Sequence, residues 1–476
     1  MPDKDTKTHA ETPSDTNPGN IVTRGLRRVR QLLGDERTPG FNAKQLTKIR
    51  EQLRECADGL GGEVSTRQRA VRLAESYLQL DDTGRAAFLR IVASEFGPDP
   101  QAVASAHQAY QQAIGSDAQW AAESAMRDAM RSSRLRILTQ FNALPQGVKF
   151  LVDLRADLLR YLNHDAGLHA LDRELESRLG AWFDVGFLEL QRITWNSPAA
   201  LLEKLIEYEA VHEIRSWSDL KNRLDSDRRC YAYFHPRMPM EPLIFVEVAL
   251  TDRLADNVQT LLDEQAPVFD ARRATTAIFY SISNTQAGLR GVSFGNFLLK
   301  RVVEDLKRDY PRLTTFATLS PLPSLRRWAD KNPAAWQHAF GAEQLLRIAR
   351  HCAPKGIAMG SPDDVRQLLA ADTWPADARL ARLLQPGLTR LAARYLLCAK
   401  SGNRPYDPVA RFHLGNGARI ERINPLADTS VRGIAQSYGL MLNYLYDPET
   451  IEANVEAFSA SGEVACAAAI RRSARD

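Results

Sequence analysis

Thr275-Thr276-Ala277-Ile278-Phe279-Tyr280-Ser281-Ile282-Ser283, then Gln286-Ala287-Gly288-Leu289-Arg290-Gly291, then a run through Phe294, Phe297, Leu298, Val302, Leu306 and Tyr310, then Leu313 to Ser320: this stretch decides the fold. The first segment is rich in β-branched and aromatic residues and predicts a strand. The apolar residues after the glycines recur at intervals of three and four, which places them on one face of a helix. Pro311 stops that helix, Leu313 to Leu319 predicts a second strand, and Pro321 and Pro323 break regular structure after Ser320. The order strand, glycine turn, helix, strand is a βαβ unit. A helix that opens on glycines offers free backbone N–H groups and the positive end of its dipole, which suits a phosphate or pyrophosphate.

Around this unit the chain divides into two parts. At 476 residues it is too long for one core. Met1 to Asn20 is polar, has no apolar segment of the signal-peptide kind, and reads as a disordered tail. Residues 21–190 read as an all-helical bundle. Gln45 to Leu60, Ser65 to Leu80, Arg85 to Phe96, Ala102 to Ile114, Gly147 to Leu162 and Leu168 to Leu190 all carry apolar residues at helical spacing, and helical character extends to about Asn196. Residues 191–476 read as a mixed α/β domain. It has strands at Cys230–His235 and Pro242–Leu250, a short helix at Asn257–Glu264, and a mostly helical stretch from Arg326 to Cys398 broken at prolines that include Pro386. Asn-Gly tolerates positive φ, so Gly415-Asn416-Gly417 predicts a hairpin between short strands at Phe412–Leu414 and Ala418–Ile423.

Hydrophobic residues make up 44% and charged residues 25%, with a formal net charge of +4. That balance is too mild to predict nucleic-acid binding. No run of about 18 apolar residues predicts a membrane span. Five scattered cysteines with no CxxC pair predict reduced thiols, no zinc site and a cytoplasmic protein. Taken alone, Ser320 at a strand end is an ordinary turn former, and His413 beside a glycine turn is an ordinary surface residue of a strand.

The turn Gln286 to Asn296 and its flanking strand and helix resemble the acyl-CoA-binding segment of the GNAT-type N-acetyltransferase fold. More specifically, the chain resembles the malonyl-CoA decarboxylase family. The matching segments are His235-Pro236, Glu241-Pro242, Tyr280 to Ser283, Leu319-Ser320-Pro321, Phe412 to Ala418, Arg422 to Asn424, Ala427-Asp428 and Gly439 to Tyr444. The resemblance covers nearly the whole chain and implies an α+β protein: an oligomerising helical domain followed by a catalytic acetyltransferase-like domain. It implies decarboxylation of malonyl-CoA to acetyl-CoA and CO2, with Ser320 and His413 as the catalytic pair. Arg290, Gly291, Val292, Ser293, Phe294, Gly295 and Asn296 would hold the CoA moiety. Some members carry a glutamate where Ser293 stands, so any role of that carboxylate is absent here or passes to a hydroxyl. CoA is part of the substrate, and no separate cofactor or metal is expected. A homo-oligomer, dimer or tetramer, is expected. Which of Ser320 and His413 gives the proton to carbon stays open, as does an acyl-CoA-dependent N-acyltransferase reading of the same fold.

Overall fold

The computed structural model describes residues 43–59, 62–292 and 297–475. These fall into two compact units that divide between Glu176 and Ser177.

The first unit is helical. Its helices are Ala43–Asp58, Glu63–Leu78, Asp82–Glu95, Pro100–Ala113, Gln119–Ala129, Arg134–Asn142 and Gly147–Tyr161, and the division falls inside a further helix, His169–Trp182. Asp81 and Asp99 cap two of them, accepting from Gly84 N–H at 2.7 Å and Gln101 N–H at 2.9 Å. Leu53, Leu73, Tyr77, Phe88, Leu151 and Leu158 are buried and form its core, with the Tyr77 and Phe88 rings 4.8 Å apart.

The second unit is built on an eight-stranded sheet. Its strands are β1 Glu189–Ile193, β2 Arg228–Phe234, β3 Pro242–Thr251, β4 Thr276–Asn284, β5 Thr315–Thr318, β6 Ser320–Pro321, β7 Arg419–Asn424 and β8 Met441–Leu445. The order is β1-β2-β3-β4-β5-β8-β6, with β7 paired to β8. All neighbours are antiparallel except β4 and β5, which run parallel because the helix Phe297–Asp309 crosses between them. One face of the sheet packs against Leu201, Leu202 and Leu205 of the helix Ala199–Tyr208. Val258, Leu261 and Ala427 pack on Ile278, Tyr280, Ala317 and Leu319.

The parallel pair is short. β4 and β5 stay in register only from Thr276 to Phe279, and their last rung is Leu319 N–H to Phe279 O at 3.0 Å. Beyond it, Ser320 and Pro321 turn to pair with Leu442 and Met441 of β8. From Tyr280 to Asn284, β4 is laddered to β3 alone among the described residues. The sheet therefore parts at Ser320 and leaves one edge of β4 open. Tyr280 is also bulged out of the β3–β4 ladder, since Glu247 faces Ser281 while Val248 faces Phe279.

The α+β class is as expected, and the βαβ unit forms. Four expectations fail for physical reasons. Glu189–Ile193 is a strand on β2, not helix, because antiparallel pairing from Glu189↔Phe234 to Ile193↔Cys230 outweighs its weak helical pattern. Phe412–Leu414 is not a strand: Pro408–Gly415 is a helix, with Pro408 at its first position and the Asp407 carboxylate accepting from Val409 and Ala410 N–H at 2.9 Å each. The Asn-Gly pair closes this helix instead of turning a hairpin. Gly417 sits at φ +80° while Ala418 N–H bonds His413 O and Gly417 N–H bonds Leu414 O, a Schellman end. Pro386 lies inside the helix Ala378–Cys398 without ending it; its neighbour Gly387 is covered by the Phe340 ring, so tertiary packing sustains the helix across the missing N–H.

Candidate active site

Each member of the site is delivered by a different element. Ser320 is carried by β6 at the point where the sheet parts, and it is 6% exposed. His413 lies on the last turn of the helix Pro408–Gly415 and is 3% exposed. The structure brings them together: Ser320 Oγ lies 3.0 Å from His413 Nε2. His413 is thus a buried helix residue and not the surface strand residue that its local sequence suggests.

The contact sits within a chain of hydrogen bonds. His413 Nδ1 is 2.8 Å from the Tyr446 hydroxyl, and Ser320 Oγ is 2.9 Å from Thr318 Oγ1. Thr318 Oγ1 also accepts from Tyr444 N–H at 3.2 Å. The Tyr444 ring stacks on the imidazole, with centroids 4.4 Å apart and planes 26° apart, which fixes the plane of the ring. Burial pushes His413 down to about 3, so the imidazole is neutral near pH 7. No carboxylate hydrogen-bonds this ring among the described residues; a phenol occupies the place of the acid in a Ser-His-Asp triad.

The support behind the pair is polar and satisfied. Asn443, fully buried, donates to Thr318 O at 2.8 Å and Ala255 O at 2.9 Å, and accepts from Arg422 Nε at 3.0 Å and Asn424 Nδ2 at 2.9 Å. It bridges β5 and β8 where their backbone ladder is interrupted. Asp407, which starts the His413 helix, accepts from Tyr395 OH at 2.8 Å.

Of the expected CoA-binding residues, Arg290, Gly291 and Val292 follow the short 3-10 turn Ala287–Leu289 at the far end of the open β4 edge. Gly291 has φ +87°, a conformation that needs glycine. Gln286 pins the turn, donating to Pro242 O at 3.0 Å. Ser293, Phe294, Gly295 and Asn296 lie outside the described residues. Among the described residues, no group of three or more His, Cys, Asp or Glu is placed to hold a metal ion, and no helix is long and apolar enough to cross a membrane.

Tyr446, Thr318, Tyr444 and Asn443 escape the sequence reading because their roles come from distant pairing. Asp407-Pro408 is the one local signal that could have been used, since an aspartate before a proline marks a helix start.

The chain matches the sequence pattern of the malonyl-CoA decarboxylase N-terminal domain over residues 96–183 and of the C-terminal domain over residues 186–476. It is 38% identical over 385 residues to the goose (Anser anser anser) protein named malonyl-CoA decarboxylase, mitochondrial, a match that spans 79% of this chain and 76% of that one. The rat (Rattus norvegicus) protein of the same name is 38% identical over 374 residues, spanning 76% of each. A solved structure of malonyl-CoA decarboxylase from Rhodopseudomonas palustris is 41% identical, with a TM-score of 0.80, over 91% of this chain and all of that one. The corresponding structure from Agrobacterium vitis is 42% identical with a TM-score of 0.78, covering 90% of this chain and 99% of that one. These likenesses define an enzyme of the carboxy-lyase class. The chain belongs to the malonyl-CoA decarboxylase family.

Proposed function

We propose that this enzyme decarboxylates malonyl-CoA to acetyl-CoA and CO2, using Ser320 and His413. The observation that carries the reading is the buried 3.0 Å contact between Ser320 Oγ and His413 Nε2 at the parting of β4 and β5. Malonyl-CoA loses CO2 when its Cα–carboxylate bond aligns with the thioester π system. The electron pair of the broken bond moves into the thioester, giving an enolate, and Cα then takes one proton. The thioester is its own electron sink, so the proposed reaction needs no separate cofactor and no metal.

The proton route follows from the bonding of His413. Both ring nitrogens are engaged, one by Ser320 and the other by Tyr446. A proton from the imidazole therefore reaches Cα through Ser320 Oγ, which makes the serine hydroxyl the immediate donor. A neutral imidazole can replace that proton from Nε2 while taking one at Nδ1 from Tyr446. One proton per turnover enters from solvent, which balances the consumption of H⁺ in forming acetyl-CoA.

Arg290 to Asn296 take the CoA pyrophosphate in this reading. The support is Gly291 at positive φ, beside a turn pinned by Gln286, ahead of the helix Phe297–Asp309. We further read the protein as a cytoplasmic homo-oligomer, dimer or tetramer. In the helical unit, the hairpin of Pro100–Ala113 and Gln119–Ala129 buries only Ala113 and exposes Ile114, Trp120 and Met130 by 59%, 72% and 56%, an apolar surface suited to a second copy. All five cysteines are free thiols, in keeping with a reducing compartment. Incubating purified protein with malonyl-CoA and following acetyl-CoA and CO2 tests the reaction; turnover to both is expected, and neither product above the uncatalysed rate would refute it.

A further inference from the structure

Ser320 has one hydroxyl proton and two neighbours within reach of it, Thr318 Oγ1 at 2.9 Å and His413 Nε2 at 3.0 Å. The serine donates to Thr318 Oγ1, and the threonine oxygen also accepts from Tyr444 N–H at 3.2 Å. With its one proton on Thr318, Ser320 Oγ can meet Nε2 only as an acceptor. Nε2 therefore carries a hydrogen. The ring is neutral, since burial pushes His413 down to about 3. A neutral ring protonated at Nε2 has its lone pair at Nδ1, and the Tyr446 hydroxyl, 2.8 Å away, donates to it.

Every bond in the chain then points the same way: Tyr446 O–H to Nδ1, Nε2–H to Ser320 Oγ, Ser320 O–H to Thr318 Oγ1. A Ser-His-Asp triad has the opposite order, because there the serine donates to the imidazole and a carboxylate accepts from Nδ1. Thr318 is the acceptor at the end of this chain, so it decides the direction.

The fold holds Thr318 firmly in that place. It is fully buried and is the last residue of β5, paired with Phe279 of β4. Its carbonyl accepts from Asn443 Nδ2 at 2.8 Å, and its hydroxyl oxygen is held by Tyr444 N–H of β8. Two branches on Cβ leave its side chain few rotamers.

We propose that Thr318 is a positioning residue for proton delivery: by accepting from Ser320 it sets the Nε2–H tautomer of His413, so that the imidazole gives a proton to the serine and does not withdraw one. This rests on the decarboxylation reading above and deepens it. Cα takes the Ser320 proton, a C–H bond forming as the O–H bond breaks, and the Nε2 proton replaces it on Oγ.

The test reads the ring nitrogens of His413 by nitrogen NMR of the full chain labelled at histidine, with His413→Asn identifying the signals by their loss. Wild-type protein shows hydrogen on Nε2 and none on Nδ1 at pH 7. Thr318→Val keeps the shape and removes the acceptor, so the serine proton can turn to Nε2 and the Nδ1–H tautomer becomes populated. In that variant kcat falls about tenfold, the worth of one oriented hydrogen bond, with little change in KM. Thr318→Ser, which keeps the oxygen, retains the wild-type tautomer and recovers most of kcat. An Nδ1–H tautomer in the wild type overturns the proposal, even if Thr318→Val does not fold. A Thr318→Val protein that keeps only the Nε2–H tautomer overturns it too, since a fall in rate by itself would be a loss of packing. The two readings fail separately, because the nitrogen signals need no turnover. The expected tautomers without CO2 release from malonyl-CoA sink the reaction and keep the role of Thr318 in setting the ring, whereas normal decarboxylation with hydrogen on Nδ1 sinks that role alone.

Discussion

His413 is held on both sides, by Ser320 and Tyr446, and stacked on Tyr444. Removing either member of the proposed pair removes the proposed proton route and leaves the proposed CoA-binding turn untouched. Ser320→Ala and His413→Asn are expected to lower kcat about 10²-fold or more with little change in KM, as loss of general acid–base catalysis does; steady-state kinetics measures both. Near-wild-type kcat in both variants would remove the pair from the chemistry. The depressed pKa of His413, about 3, sets a second expectation. An imidazole already neutral has no charge to lose across the ordinary histidine range. The kcat profile of the wild type should therefore be level from about pH 5.5 to 8, with no inflection near the unperturbed value of about 6.5. A limb at that position would mean that the histidine titrates in the open.

The helix Pro408–Gly415 and the turn after β4 carry the proposed site at the next scale up. Asp407 caps the helix and accepts from Tyr395, and in the proposed site it positions His413 through the helix start. Asp407→Ala should cost about 1–2 kcal/mol in denaturant unfolding, a typical cap loss, and also lower kcat. Full activity in a destabilised variant would show that the helix end does not position the imidazole. Gly291 has φ +87°, so Gly291→Val is strained there and brings side-chain bulk to the proposed phosphate turn. CoA affinity by calorimetry should fall while circular dichroism keeps the helical signal, and unchanged affinity in a folded variant moves the phosphate site elsewhere. These two elements also mark what was legible in the sequence. The β4 run and its glycine turn are local patterns, and they read correctly. The His413 helix was misread because Asn416-Gly417 supplies positive φ to a hairpin and to a helix end alike, and only Asp407-Pro408 upstream separates the two.

Across the whole molecule, the α+β class follows from periodicity, whereas the site depends on long-range pairing. Asn443 reaching Thr318 and Ala255, or Tyr446 reaching His413, joins residues far apart in the chain and has no local signature. Buried neutral histidines also shape global stability. Folding lowers His413 to about 3 and His212 to about 4, both by burial, below the unfolded value of about 6.5. Between those limits the unfolded chain binds more protons, so stability is complete above about pH 6.5 and declines as pH falls. From pH 7.5 to 5 each histidine should cost about 2 kcal/mol in chemical denaturation. His212→Gln should flatten that slope, and an unchanged slope would show that His212 is not buried neutral. The central claim is that the chain cleaves a C–C bond within the acyl group and returns an exchangeable proton to Cα. Turnover of malonyl-CoA in deuterated water, analysed by mass spectrometry, tests this most directly. Decarboxylation yields acetyl-CoA with deuterium in its methyl group, CO2, and no free CoA; free CoA with an acylated amine and no acetyl-CoA would refute it and favour an N-acyltransferase.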